Sequence, residues 1–203
     1  MISSVISRLN DRRDAAADLG EDAGFTLIEL MVVLLILAIL LAIAIPTFLG
    51  VTGGANDRAA QSTLNTALTT AKTAATQNNQ TYTGTTPITV ATLKSNEPSI
   101  TWVASGTAQI AQGPVSVYFS TDGNGVVLAS YSKNNNTCWY AVDNLSAVTN
   151  TGGPYGAAPV AAGDATHVPT QAGTYYASST GTCDSGAQPA AATLVGGAWN
   201  TKF

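Results

Sequence analysis

Residues 24–50 read GFTLIELMVVLLILAILLAIAIPTFLG, and the placement of this stretch decides how the rest of the chain is organised. From 30 to 49 the run is apolar apart from Pro46 and Thr47. As a helix rising 1.5 Å per residue it would measure about 30 Å, the thickness of a bilayer's hydrocarbon core. A buried helix of a globular domain is usually shorter and keeps a polar face. Residues 25–49 are therefore predicted to cross a lipid bilayer. Arg8, Arg12 and Arg13 precede the run, and Arg58 is the first basic residue after it. Positive-inside counting then puts the N-terminus in the cytoplasm and the large C-terminal part outside. A removable secretory signal is the plain alternative. Against it stand the length of the run and the poor small-x-small cleavage signal in TFLGVTGGANDRAA (47–60). A simple signal anchor is the other. Neither explains why an acid, Glu29, stands at the threshold of the span behind GFTLI.

The composition narrows the function classes. The chain has 203 residues, of which 10% are charged, and a formal net charge of −4. That is room for one ordinary domain beyond the apolar run. Residues 1–24 set three Arg against Asp11, Asp14, Asp18, Glu21 and Asp22, a net of −2, so the remainder also sums to −2. There is no basic stripe, so no specific nucleic-acid partner is inferred. The surface also lacks the charge density of a disordered tail. The one histidine, His167, lies in a Pro/Gly/Ala-rich stretch and is read as having no acidic or thiol neighbour at ligand spacing. A structural zinc wants four ligands, so no metal and no cofactor is expected. One histidine leaves little room for Ser-His-Asp or Cys-His chemistry within a chain. No Gly-rich phosphate loop follows a strand, and Asp143, Asp164 and Asp184 read as isolated acids among turns. No catalytic residues, and no enzyme, are predicted. With the C-terminal part outside the cytoplasm, Cys138 and Cys183 are expected to form a disulfide; two buried free thiols are the alternative.

GFTLIELMVVLLILAILLAIAIPTFLG resembles the N-terminal segment of type IV prepilins and the related pseudopilins. A small residue, an aromatic, Thr-Leu-Ile-Glu and an unbroken span carry the likeness. It is dense over 24–50, softer through the following helix, and fades in the head, so that it covers about a quarter of the chain. The resemblance implies a leader, 1–24, removed by a membrane-embedded prepilin peptidase cutting between Gly24 and Phe25, with N-methylation of the new Phe25 amine. Gly24 would be required because a side chain would crowd the scissile bond. Glu21 and Asp22 depart from the basic residues common before such a cut. The new amine has an ordinary pKa near 8, so Phe25 would be cationic at neutral pH. Glu29 lies four residues on, on the same helical face. The resemblance implies that it pairs with the Phe25 amine of a neighbouring subunit and so sets register during assembly. Partners implied are further copies of the chain, the peptidase and an inner-membrane assembly platform. The protein would be a structural pilus subunit, or alternatively a minor pilin or pseudopilin of a secretion or DNA-uptake machine. A membrane-tethered binding module is a third reading, from a different class.

The remaining sequence divides at about residue 80. Pro46 is expected to kink or locally melt the helix, and Gly50, Gly53 and Gly54 lower its propensity further. In 55–78, Ala60, Leu64, Ala67, Leu68, Ala71 and Ala75 recur near a 3.6 period opposite Asn, Gln, Thr and Lys. The amphipathic half, 50–80, should lay this small-residue stripe on a sheet and break near Asn78–Asn79.

Residues 81–203 are expected to form a β-rich head. TVATLKSN (89–96) suggests a short helix capped by Thr89. ITWVA (100–104), PVSVYFST (114–121), GVVLASYSK (125–133), TCWYAVD (137–143) and TYYASS (174–179) read as strands. Val115, Val117 and Phe119 alternate with Ser116, Tyr118 and Ser120, as for a sheet covered on one face. DGNG (122–125) is a hairpin signal; its acid invites a calcium reading, but repeated oxygen ligands are missing. Residues 149–174 read as a long surface excursion. The segment 138–183 would then be a disulfide-bounded lobe, similar in position to that of many pilins. Trp199 and Phe203 are expected to dock the C-terminal tail. Trp139, Tyr140, Tyr155, Tyr175, Tyr176 and Trp199 read as packing aromatics more readily than as a sugar platform. The fold class expected is α+β and pilin-like, a long N-terminal helix packed on an antiparallel sheet.

Overall fold

A computed structural model describes residues 25–107, 109–134, 136–149, 153–155, 168–181, 183–186 and 199–203. The chain divides into two units, Met1–Phe48 and Leu49–Phe203. The leader with Gly24, together with His167, Asp164 and most of the 149–174 excursion, lies outside the described residues.

Helix α1 is Leu27–Gln77. In the first unit its residues are exposed on every side, with Leu, Ile, Val and Met predominating. The helical hydrogen bonding continues through Pro46, where a missing N–H leaves one carbonyl of the preceding turn without its usual donor. Nearby, Thr47 Oγ1 donates to the Ile43 carbonyl (2.9 Å) and Thr52 Oγ1 to that of Leu49 (3.0 Å).

In the second unit α1 buries Ala60, Leu64, Ala67, Leu68, Ala71, Ala74 and Ala75. This is the predicted stripe with Ala74 added. Alanine dominates because a helix with short side chains approaches a sheet closely, and only two Leu are needed to fill the gaps. The helix ends where Asn79 and Gln80 turn left-handed (φ 56° and 57°) and Gln80 N–H reaches back to the Ala75 carbonyl (2.8 Å). Asparagine tolerates that conformation better than most residues.

The short helix α2, Val90–Asn96, is capped by Thr89 in a reciprocal box with Thr92 and buries Leu93. Five strands follow: β1 Trp102–Ala104, β2 Val115–Phe119, β3 Gly125–Ser132, β4 Thr137–Asn144 and β5 Gly173–Thr180. They form one sheet in sequence order. The β2–β5 pairings are antiparallel, but β1 runs parallel to β2, with Trp102 opposite Val115. The expected all-antiparallel sheet is thus corrected to a mostly antiparallel one. The reason lies in 105–114, which carries the chain back to the end where β1 began and is tied on the way by Gln109 N–H to the Cys183 carbonyl (2.7 Å).

The period-2 pattern of β2–β5 separates two cores. Val115, Val117, Val126, Leu128 and Ala141 face α1 together with Ile88, Leu93, Ile100 and Trp102. Val127, Ala129, Tyr131, Cys138, Tyr140, Val142, Tyr175 and Ala177 face the other way and are covered by Val148, Tyr155, Val168, Cys183 and Trp199. The sheet is therefore buried on both faces, not one. Ser116, read from its alternation as solvent-facing, is fully buried and bonded to Asp184 and Ser185. A β-strand pattern of small polar residues cannot distinguish water from a satisfied polar layer.

The hairpin between β2 and β3 forms as expected, although its left-handed residue is Gly123 (φ 76°). Asp122 closes this turn. It accepts from Ser120 Oγ (2.6 Å), Asn124 N–H (3.1 Å) and Thr149 N–H (2.7 Å). Burial pushes its carboxyl up, but these hydrogen bonds outweigh that and hold it below the ordinary range. With Thr149 Oγ1 (3.1 Å) also donating, the structure gives this acid four donors rather than a ligand set.

Candidate functional site

Two regions hold the groups that sequence reading singled out, the start of α1 and the joints that hold the head together.

At the start of α1, Thr26 is the N-cap. Glu29 N–H donates to Thr26 Oγ1 (3.3 Å), while Thr26 N–H (2.9 Å) and Thr26 Oγ1 (2.7 Å) donate to Glu29 Oε2. This is a capping box, which satisfies two of the backbone donors that every helix start leaves open. The Thr-x-x-Glu spacing was legible in FTLIE, but the acid drew attention to distant partners and the local one was missed. Phe25 projects from this cap at 87% exposure. The carboxylate is thus held at one oxygen by its own chain, and Oε1 is left to meet a second donor. The large side chains from Leu27 to Val51 are exposed. So extensive an apolar surface requires lipid or other copies to cover it. Among the described residues α1 is the one helix long and apolar enough to cross a membrane.

Within the head, two ties fasten α1 to the sheet, and a third joins the sheet to the lobe. Asp57 accepts from Asn134 Nδ2 (2.6 Å) and Trp139 Nε1 (3.2 Å). At Gly53 the β3–β4 turn comes so near that an added Cβ would lie 2.8 Å from Asn134 Oδ1. This glycine therefore permits a close approach in addition to lowering helix propensity.

The second tie is centred on Asp143. Sequence read it as an isolated acid at the end of the strand expected over 137–143; it lies within β4 at 5% exposure. Its Oδ1 meets Lys72 Nζ (3.0 Å) and accepts from Thr174 Oγ1 (2.8 Å), while Oδ2 accepts from Tyr82 OH (2.8 Å). Burial first, and then the Asp143 charge, push the Tyr82 phenol far above its ordinary pKa, so it remains a donor at every relevant pH. Asp143→Ala would strand the buried Tyr82 hydroxyl. Because the Lys72 side chain keeps 42% exposure, water recovers part of the lost ion pair. A loss of about 2–3 kcal/mol is expected in denaturant unfolding of the detergent-solubilised chain. A loss below about 0.5 kcal/mol, the usual size of a surface change, would show that the cluster holds nothing.

The third tie is the disulfide Cys138–Cys183, with Cα atoms 5.0 Å apart. Beside it, Asp184, also read as isolated, is 7% exposed and accepts from Gly106 N–H (3.0 Å), Gly186 N–H (2.9 Å) and Ser116 Oγ (3.3 Å).

The aromatic residues serve packing. Tyr140 meets Trp199 edge to face (6.2 Å), and Phe203 packs on Tyr176 (4.2 Å) and Trp139 (5.7 Å). Asn200 pairs with Tyr176 in an isolated antiparallel bridge, so both expected tail anchors dock. No group of three or more His, Cys, Asp or Glu is placed to hold a metal among the described residues.

Residues 21–45 match the family model described as the prokaryotic N-terminal methylation motif. This is the prepilin-type cleavage and methylation signature, and it supports a type IV pilin- or pseudopilin-like precursor anchored in a membrane. The α+β arrangement of a long N-terminal apolar helix and a mostly antiparallel sheet is pilin-like. No curated protein and no solved structure matches the chain.

Proposed function

We propose that this chain is the precursor of a structural subunit of a type IV pilus. The observation that carries the reading is the motif at 21–45, which ends within an apolar helix whose outer surface is uncovered. The subunit inserts with its N-terminus in the cytoplasm and its head outside. Prepilin peptidase cuts between Gly24 and Phe25 and methylates the Phe25 amine. An inner-membrane platform then passes the helix from lipid into a filament of like chains. In that step the Phe25 amine of a neighbour takes up the second donor position on Glu29. The head, held by a disulfide and by satisfied buried polar groups, supports assembly as a rigid body.

The experiment is N-terminal analysis of the mature protein by mass spectrometry. The expected product begins at an N-methylated Phe25. A mature start at Met1 or near Ala55 refutes the reading. Abundance in the sheared filament fraction then separates a main pilus subunit from a minor pilin or a pseudopilin, which would stay with the cell.

A further inference from the structure

Packing closes off most of the aromatic rings of the head. Tyr140, Tyr155, Tyr175 and Trp199 are buried. Trp139, Tyr176 and Phe203 are not, and all three wall one cleft of about 210 Å³ at β5, the edge strand of the sheet. The cleft lies wholly within the second unit. Its walls are held in place by their own contacts. Trp139 Nε1 donates to Asp57 (3.2 Å), and the Phe203 ring stands edge-on to Trp139 and tilted on Tyr176. The indole N–H is thereby committed, and what the three residues offer to the cleft is ring surface.

Two polar groups line the same cleft without partners of their own. Ser178 stands opposite Trp139 in the β4–β5 register and is only 5% exposed. Its hydroxyl makes no hydrogen bond among the described residues. A hydroxyl placed so has given up water without gaining a protein partner, and a ligand that bonds it recovers that cost. Lys202 is exposed and forms no ion pair among the described residues. Its ammonium is the one charged group lining the cleft.

This combination favours one chemistry. Ring faces meeting at an angle receive the C–H face of a flat, compact ring. Ser178 can bond a hydroxyl at the rim of that ring, and Lys202 attracts a carboxylate on it. An acidic sugar carries all three features on a single ring. An extended acidic peptide would instead need the outer backbone edge of β5, and at Tyr176 that edge is already taken by the bridge to Asn200.

We propose that the cleft between Trp139, Tyr176 and Phe203 binds a uronic acid residue of an acidic polysaccharide, with Ser178 bonding a ring hydroxyl and Lys202 the carboxylate. This goes beyond the pilus-subunit reading and does not depend on it, because its test measures binding to the full chain whether or not filaments form.

The experiment is isothermal titration of the full chain in a polyoxyethylene detergent, which carries no sugar of its own. The probes are trigalacturonate and its methyl-esterified form, a neutral counterpart of the same shape. One trigalacturonate site per chain is expected, with the ester at least about fivefold weaker and the difference shrinking as salt is raised. Lys202→Gln should reduce the acid to the level of the ester. Ser178→Ala should weaken both probes by about three- to tenfold. Ser130→Ala is the control. It removes the fully buried, equally unpaired hydroxyl opposite Trp139 on β3, which does not line the cleft, and should change neither affinity. Near-ultraviolet circular dichroism checks that each variant keeps the fold of the head.

Binding of neither probe overturns the proposal, and so does trigalacturonate binding that survives both Lys202→Gln and Ser178→Ala. Equal affinity for acid and ester overturns the acidic assignment. A triaspartate peptide that binds as tightly as trigalacturonate overturns the sugar assignment and gives the cleft to an acidic peptide.

Discussion

Glu29→Gln is expected to leave the protein inserted, cleaved and folded, yet to reduce filaments in the sheared fraction to background. The substitution separates two roles at one carboxylate, the cap that the structure shows and the amine pairing that we propose. As the third residue of a capping box, position 29 needs only an oxygen that accepts from Thr26, and glutamine supplies one. As the partner of a cationic amine it needs a full negative charge. An amine formed at Phe25 by the proposed cleavage would be protonated at neutral pH, and methylation would preserve that charge. In low-dielectric surroundings, replacing a charged acceptor with a neutral one removes most of the attraction while leaving the shape intact. Thr26→Ala makes the converse change, weakening the cap and keeping the charge, and is expected to assemble, though from a more frayed helix start. Immunoblotting of sheared and cell-bound fractions, with mass spectrometry for the processed N-terminus, gives the comparison. Normal filaments in Glu29→Gln would show that position 29 acts only as a helix cap.

What sequence made legible, and what it hid, follows from the range of the interactions involved. The stripe of α1 and the five strands were visible because burial imposes a local period, 3.6 along Ala60, Leu64, Leu68 and Ala71 and 2 along Val115, Val117 and Phe119. The Thr89 cap was visible because a short helix needs a local acceptor. Asp143 was not, because its partners Lys72, Tyr82 and Thr174 lie on three separate segments, and nothing around Asp143 in sequence announces them. Asp184 and Ser116 were hidden in the same way, since a polar residue in a strand or loop reads as exposed until the segment packed on it is known. The parallel β1 escaped because strand direction depends on where 105–114 returns, which is fixed by a bridge to Cys183 far along the chain. The Thr26–Glu29 box is a different case. It is local and has a recognisable spacing, and it was passed over because a carboxylate near lipid suggested an intermolecular partner first.

Removing the disulfide should be the most damaging single change to the head. Cys138 and Cys183 are 45 residues apart in sequence and both fully buried. Loop-closure entropy for a ring of that size corresponds to about 4 kcal/mol of stabilisation. Cys138→Ala with Cys183→Ala is therefore expected to lower the unfolding free energy by about 3–5 kcal/mol, a large share of the total for a domain of this size. Much of this arises in the unfolded chain, so the denaturant dependence should steepen as the unfolded state, freed of its crosslink, exposes more surface. The native state should also change, and locally. Cys183 carries the bridge to Gln109, and the next residue, Asp184, caps Gly106 and Gly186 and holds the buried Ser116 hydroxyl. Without the crosslink, hydrogen exchange should accelerate first at Gly106, Gln109 and Gly186, while amides of β3 stay protected until global unfolding. Uniform acceleration across the head would instead mean that the disulfide acts on the fold as a whole. Unchanged exchange at these three amides, with the full loss of stability, would place its action entirely in the unfolded chain.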